Sequence, residues 1–236
     1  MEPLYSTTIT CICCDSPFQS SRVRPSFKKA ASRDSDFCSY YKNDINPDYY
    51  VVRVCPKCGF ATTENGIDVL NDRQKQQYYD RIGVHWAMRD YGGKRTIDQA
   101  MECYKLVLLC MQVIGGKDRV VAGILHHIAW LYRYMEQREQ EDRFLRFALE
   151  AYIRVYETEG VTLNNAKLMF LIGELHRRLG DKHEAVRWFS RVVNDKKIVD
   201  ASMIRACREQ WQLLRQEQAD KEESTGSEDG QATLNA

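Results

Sequence analysis

The sequence predicts a mostly α, α+β fold, with a small cysteine-bearing β head at the amino terminus and a longer α-helical repeat region behind it. Three observations carry this expectation. Two Cys-x-x-Cys pairs, Cys11/Cys14 and Cys55/Cys58, stand in the first quarter of the 236 residues. Runs rich in β-branched and aromatic residues lead into both pairs. From about residue 72 onward, apolar residues recur at i, i+3, i+4 and i+7, the period of a helix with one buried face. The expected organisation is a metal-binding head over 1–70, a helical repeat domain over 71–218, and a disordered tail over 219–236, which is polar and lacks aromatic residues.

In the head, Thr7–Thr10 and Tyr49-Tyr50-Val51-Val52-Arg53-Val54 read as strands that each deliver a cysteine pair at their ends. Cys55-Pro56-Lys57-Cys58-Gly59-Phe60 is the most specific motif in the chain. A two-residue gap on a tight turn lets two thiolates point at one metal, and tetrahedral zinc needs four of them at ~2.3 Å. Gly59 suits a backbone with positive φ just past the second cysteine. Cys11-Ile12-Cys13-Cys14 repeats the spacing and supplies the other half, making the head zinc-ribbon-like. The pairs do not sit between a strand and a helix, as a thioredoxin-type redox motif would. Zinc is the expected metal and iron the lesser alternative, because tetrahedral sulfur sites select one or the other. Four thiolates fill the coordination sphere, so the site is expected to be structural. Cys13 remains a substitute for Cys14, and Cys38 is either a buried small hydrophobe or a further ligand.

Helices are expected at about 72–90, 97–114, 118–137, 140–157, 164–179, 182–194 and 200–217. Gly92-Gly93, Gly115-Gly116, Gly160 and Gly180 serve as stops between them. Gly173, Gly180, Ala185 and Phe189 stand seven, five and four residues apart, which resembles the spacing of a tetratricopeptide repeat. Earlier helices are repeat-like at longer steps. In that register the first helices of each pair would present His85 and Arg89, then His126, Trp130, Arg133 and Tyr134, then Lys167, Phe170, Glu174 and Arg177. Such a basic and aromatic face suits a protein or peptide partner with acidic or aromatic side chains.

Asp36-Phe37-Cys38-x-x-Tyr41, Asn46-Pro47-x-Tyr49-Tyr50 and Val54-Cys55-Pro56-x-Cys58-Gly59-Phe60-Ala61 together resemble the bacterial domain-of-unknown-function 2225 family. The resemblance covers most of residues 5–215. It implies a cysteine-rich head joined to helical repeats in an intracellular, bacterial setting, and it implies no activity. Members usually carry proline after the first cysteine and glycine after the second, where this chain has Ile12 and Asp15. The first knuckle's turn therefore departs from the family's pattern, while the second keeps it.

Composition narrows the function classes. Lys and Arg number 34 against 33 Asp and Glu, a net charge of +1, so the whole chain shows no basic footprint for nucleic acid. The 44% hydrophobic fraction is ordinary for a globular protein. No run approaches the ~20 apolar residues that cross a bilayer. Met1–Ser6 has neither a basic nor an apolar signal region, so a cytoplasmic location without membrane contact is expected. Nine cysteines, an odd number, in such a chain speak against a disulfide framework. No acid–base or nucleophile set stands out. The leading expectation is a non-enzymatic interaction scaffold with a structural zinc site. The alternatives are a nucleic-acid-binding zinc ribbon using Arg22, Arg24, Lys28, Lys29 and Arg33, or a thiol-based redox sensor.

Overall fold

The structure, a computed structural model, describes residues 2–42, 44–159 and 165–232, with side chains described up to residue 217 and not at 159. It is mostly α with small antiparallel sheets at the amino terminus. Two compact units emerge, Met1–Ala151 and Tyr152–Ala236.

The first unit begins with three two-stranded antiparallel sheets. β1 (Leu4–Thr10) pairs with β2 (Pro17–Val23), from Leu4 opposite Val23 to Thr10 opposite Pro17. β3 (Ser32–Arg33) pairs with β4 (Ser39–Tyr40), and β5 (Val52–Val54) with β6 (Ala61–Thr63). The expected strand over 49–54 is shorter than its β-type composition suggests, because Pro47–Tyr50 forms a 3₁₀ turn. Pro47 presets the first φ of that turn, and the Asn46 side chain caps it by accepting from the Asp48 amide at 2.9 Å. The buried Arg95 guanidinium then holds the turn in place. Its Nη1 donates to the carbonyls of Tyr49 at 2.9 Å and Val52 at 2.7 Å, and its Nε to that of Tyr91 at 2.7 Å.

α1 (Asp72–Arg81) opens on a reciprocal capping box between Asn71 and Gln74. It stops nine residues before the expected end at 90, and a 3₁₀ turn follows at Gly83–His85. The apolar period continues there, but the chain bends so that Trp86 can lie on the second cysteine loop. α2 (Ile97–Ile114) has the same type of box, Thr96 with Gln99, and ends on Gly115 at φ +67°. α3 (Asp118–Tyr134) follows. Cys11, Phe18, Val54 and Phe60 of the hairpins share one core with Tyr78, Tyr104, Val107, Ile128 and Leu131 of the helices. The boundary expected at 70/71 is accordingly not where the compact units divide. The hairpins and the first helices bury the same apolar surface, so no linker separates them.

The division falls inside α4 (Arg138–Glu159). In the second unit, α5 (Ala166–Arg178) and α6 (Lys182–Asn194) form a hairpin, followed by α7 (Ala201–Ala232). A Cβ on Gly173 would stand 2.7 Å from Phe189 Cε1, so only glycine lets these two helices approach this closely. Gly180 makes the turn between them at φ +89°. α7 continues well past residue 219, where a disordered tail was expected. Residues 219–232 mix helix formers such as Lys221, Glu222 and Glu223 with Gly226 and Gly230, so composition alone did not distinguish tail from solvated helix. Gly160, read as a stop, and residue 164, read as a helix start, lie outside the described residues.

Candidate metal centre

Each cysteine pair caps one hairpin. The loop Cys11–Ser16 joins β1 to β2, and the loop Cys55–Phe60 joins β5 to β6. Both loops have the same backbone. The Cys11 amide donates to the Ser16 carbonyl at 3.0 Å and the Asp15 amide to the Cys11 carbonyl at 2.9 Å. In the second loop, Cys55 donates to Phe60 at 3.0 Å and Gly59 to Cys55 at 2.8 Å. The fifth residue of each turn is left-handed, Asp15 at φ +56° and Gly59 at φ +77°. Aspartate is among the few L residues that visit this region readily, which is how the first loop closes without glycine.

The two loops bring four sulfurs together. Cys11 Sγ lies 3.6 Å from Cys58 Sγ and Cys14 Sγ lies 3.7 Å from Cys55 Sγ, and all four sulfurs fall within 4.8 Å of one another. A tetrahedron with metal–sulfur bonds of ~2.3 Å has sulfur–sulfur edges of about 3.8 Å. The residues therefore fit a metal ion, and among the described residues they are the one such group.

Backbone amides already point at the sulfurs. Cys11 Sγ accepts from the amides of Cys13 and Cys14, and Cys55 Sγ from those of Lys57 and Cys58. Cys14 accepts from the Ser16 amide and hydroxyl, and Cys58 from the Phe60 amide. Such donors favour thiolates. Without a cation they prevail only at Cys14: burial raises that thiol, but the hydrogen bonds from Ser16 and the neighbouring thiols outweigh it and bring it down to about 7. At Cys55 burial wins and pushes the thiol up to about 11. Cys11 is raised by its hydrogen bond with Cys58 and by burial. At Cys58 the bond with Cys11 acts downward, but the contact with Cys13 and burial raise the thiol overall. A dication at the centre would remove this conflict by binding all four as thiolates.

Two aromatic residues, Tyr78 on α1 and Trp86 just after the 3₁₀ turn, fix the second loop. The Trp86 indole donates to the Pro56 carbonyl at 2.8 Å, and the Tyr78 hydroxyl to the Cys58 carbonyl at 2.6 Å. A Cβ on Gly59 would stand 2.3 Å from the Trp86 ring. Trp86 and Tyr78 carry no motif that announces this role in the sequence. Cys13 is buried outside the four-sulfur group, with its thiol within hydrogen-bond reach of Cys58 and Tyr79. Cys38 lies elsewhere, its Sγ 3.4 Å from the Tyr134 hydroxyl, and burial pushes its thiol up to about 12. All nine cysteines are free thiols.

The residues expected to form a peptide groove are placed differently. His126, Trp130, Arg133 and Tyr134 on α3 face the chain's own segment 34–39, between β3 and β4, rather than solvent. Arg133 grips Asp36 through Nη2–Oδ2 at 2.6 Å and Nη1–Oδ1 at 3.0 Å. It also reaches Asp34 at 2.7 Å and Glu141 at 2.8 Å. The Trp130 indole donates to Asp36 Oδ2 at 3.1 Å, and His126 Nε2 lies 3.4 Å from the same oxygen. Burial holds the His126 imidazolium below its usual range, so the ring is neutral at pH 7. Tyr134 Oη lies 2.9 Å from the Ser39 carbonyl and 3.0 Å from Asp48 Oδ2. The groove expectation fails for these four because an acidic segment of the same chain, its Phe37 at φ +72°, takes up their polar groups. His85 and Arg89 are exposed. In the second unit Lys167 is exposed, Phe170 is core, and Glu174 is buried beneath Arg177 and Arg178 at 2.7 and 2.9 Å.

Of the basic run in the head, Arg22 pairs with Glu64, Arg24 donates to the Glu2 carbonyl at 3.0 Å and Arg33 to Ser39 Oγ at 3.0 Å, while Lys28 and Lys29 are exposed. Among the described residues no helix is long and apolar enough to cross a membrane.

A family profile described as "Uncharacterized protein conserved in bacteria (DUF2225)" matches residues 4–214. No curated protein and no solved structure matches the chain.

Proposed function

The chain belongs to this bacterial family, and we propose that its four-cysteine centre holds one zinc ion as a structural tie beneath a helical scaffold that serves a protein partner. The observation that carries the metal reading is the convergence of four sulfurs, from loops more than forty residues apart, at the edge length of a metal tetrahedron. Zinc suits the centre because it has no redox state to lose and no electronic preference against tetrahedral sulfur. With four thiolates bound, no position is left for water or substrate, which supports a structural role rather than a catalytic one. Elemental analysis of purified full-length protein tests this. One zinc per chain, lost in Cys55→Ser, is expected; iron in its place, or zinc retained by that variant, overturns the reading.

The scaffold reading draws on the α5–α6 hairpin, where Gly173 packs against Phe189 and Gly180 makes the turn, the spacing expected of a tetratricopeptide-like pair. For a partner surface, segment 83–90 has the strongest support. Val84 and Met88 are 69% and 81% exposed beside exposed His85 and Arg89. This mixture suits a protein segment carrying apolar and acidic side chains. Cross-linking in cells with wild type and a Val84→Glu, Met88→Glu variant checks it. The double variant should lose partners that the wild type captures, and identical partner sets would contradict the placement.

A further inference from the structure

The four ligands are not equally protected. Cys11, Cys55 and Cys58 are 4%, 0% and 5% exposed, whereas Cys14 is only half-buried and forms the open corner of the centre. The second loop is held by Trp86 and Tyr78, and Gly59 leaves no room beneath the indole. The first loop ends instead on Asp15, whose side chain is 79% exposed. Of the four residues Cys14 is therefore the most open to a small solute from water, and Cys55 Sγ lies 3.7 Å from its sulfur.

We infer that Cys14 is an oxidative modification site: hydrogen peroxide attacked there by the Cys14 sulfur releases the metal through a Cys14–Cys55 disulfide. This rests on the zinc reading above. The thiolate of Cys14 attacks the peroxide oxygen, a sulfur–oxygen bond forms, the oxygen–oxygen bond breaks and hydroxide leaves. The Cys55 thiolate then attacks the sulfenic sulfur, closing the disulfide and expelling a second hydroxide. Two electrons pass from the sulfurs to the peroxide. With two of four ligands gone, the zinc dissociates and Cys11 and Cys58 take up protons. Chemical reduction of the disulfide restores all four ligands.

The test uses the zinc-loaded full chain with hydrogen peroxide as oxidant, a chromogenic chelator to follow released zinc, and dimedone in a parallel sample to trap sulfenic acid. Peptide mapping should place the first adduct on Cys14 and the disulfide between Cys14 and Cys55, with about one zinc released per disulfide. Dithiothreitol and added zinc should reverse the change. A first adduct on any other cysteine, or zinc release without this disulfide, overturns the inference while leaving the zinc reading intact. If the chain holds no zinc before peroxide is added, the structural-zinc reading falls, and this proposal with it. A Cys13→Ser variant separates the buried neighbour from the mechanism: it should release zinc as the wild type does, and a disulfide that depends on Cys13 would contradict the role of Cys55.

Discussion

Asp15 and Gly59 hold equivalent places in two loops of unlike sequence, and the chain solves the same backbone problem differently at each. At Gly59 two demands coincide, a positive φ and the Trp86 ring against the Cα, so Gly59→Ala should cost more than the ~1–2 kcal/mol of left-handed strain alone. At Asp15 only the conformation is demanded. Asp15→Val should lower the stability of the metal-loaded protein by about 1–2 kcal/mol, and Asp15→Gly should leave it equal or higher. Denaturant titration of the three variants checks the order; equal stability for Asp15→Val and wild type would show that the first loop does not need its left-handed turn. The clustering of the four cysteines was legible from spacing alone, since a two-residue gap has few other uses in a chain of this kind. Trp86 and Tyr78 were not, because an aromatic residue at helical spacing looks the same whether it packs on a core or on a metal loop.

At the scale of elements, the segment 34–39 and helix α3 depend on each other. Asp36 is fully buried, and its two oxygens are divided among Arg133, Trp130 and His126. Removing Arg133 leaves the buried carboxylates of Asp36 and Glu141 without their cation, so Arg133→Met should destabilise the protein by about 3–5 kcal/mol. Arg133→Met combined with Asp36→Leu should recover part of that loss, because the second change removes one of the two stranded charges. Thermal or denaturant melts of both variants decide it; a double variant weaker than the sum of the single ones would rule out direct pairing as the source. Most helices were readable within a few residues, since their apolar period agrees with local caps such as Thr96/Gln99 and Asp181. The misreadings arose where a tertiary contact overrode local pattern. α1 ends early to deliver Trp86, Tyr49 and Tyr50 turn under Arg95 instead of extending, and the expected groove of α3 receives a segment distant in sequence.

For the molecule as a whole, the hairpins and helices α1–α3 bury one core, and the cysteine centre joins two hairpins within it. No periodicity in a single sequence reports that sharing, which is why the change in composition near residue 70 looked like a domain boundary. The thiols make the metal-free form sensitive to pH in both directions. Cys55, raised from 9.0 to about 11, contributes stability that is complete below pH 9 and lost as pH climbs toward 11. Cys14, lowered from 9.0 to about 7, contributes stability present above pH 9 and lost as pH falls through 7. At pH 8 the metal-free centre holds one thiolate and three thiols, so zinc binding should release about three protons, measurable in a pH-stat titration. Release of one proton or none would mean that the thiols are not the ligands. X-ray absorption at the metal edge of the purified protein asks the same question of the metal itself. Four sulfur neighbours at ~2.3 Å around zinc, with no nitrogen or oxygen, is the expected spectrum; a light-atom ligand in the first shell would contradict a centre built from Cys11, Cys14, Cys55 and Cys58.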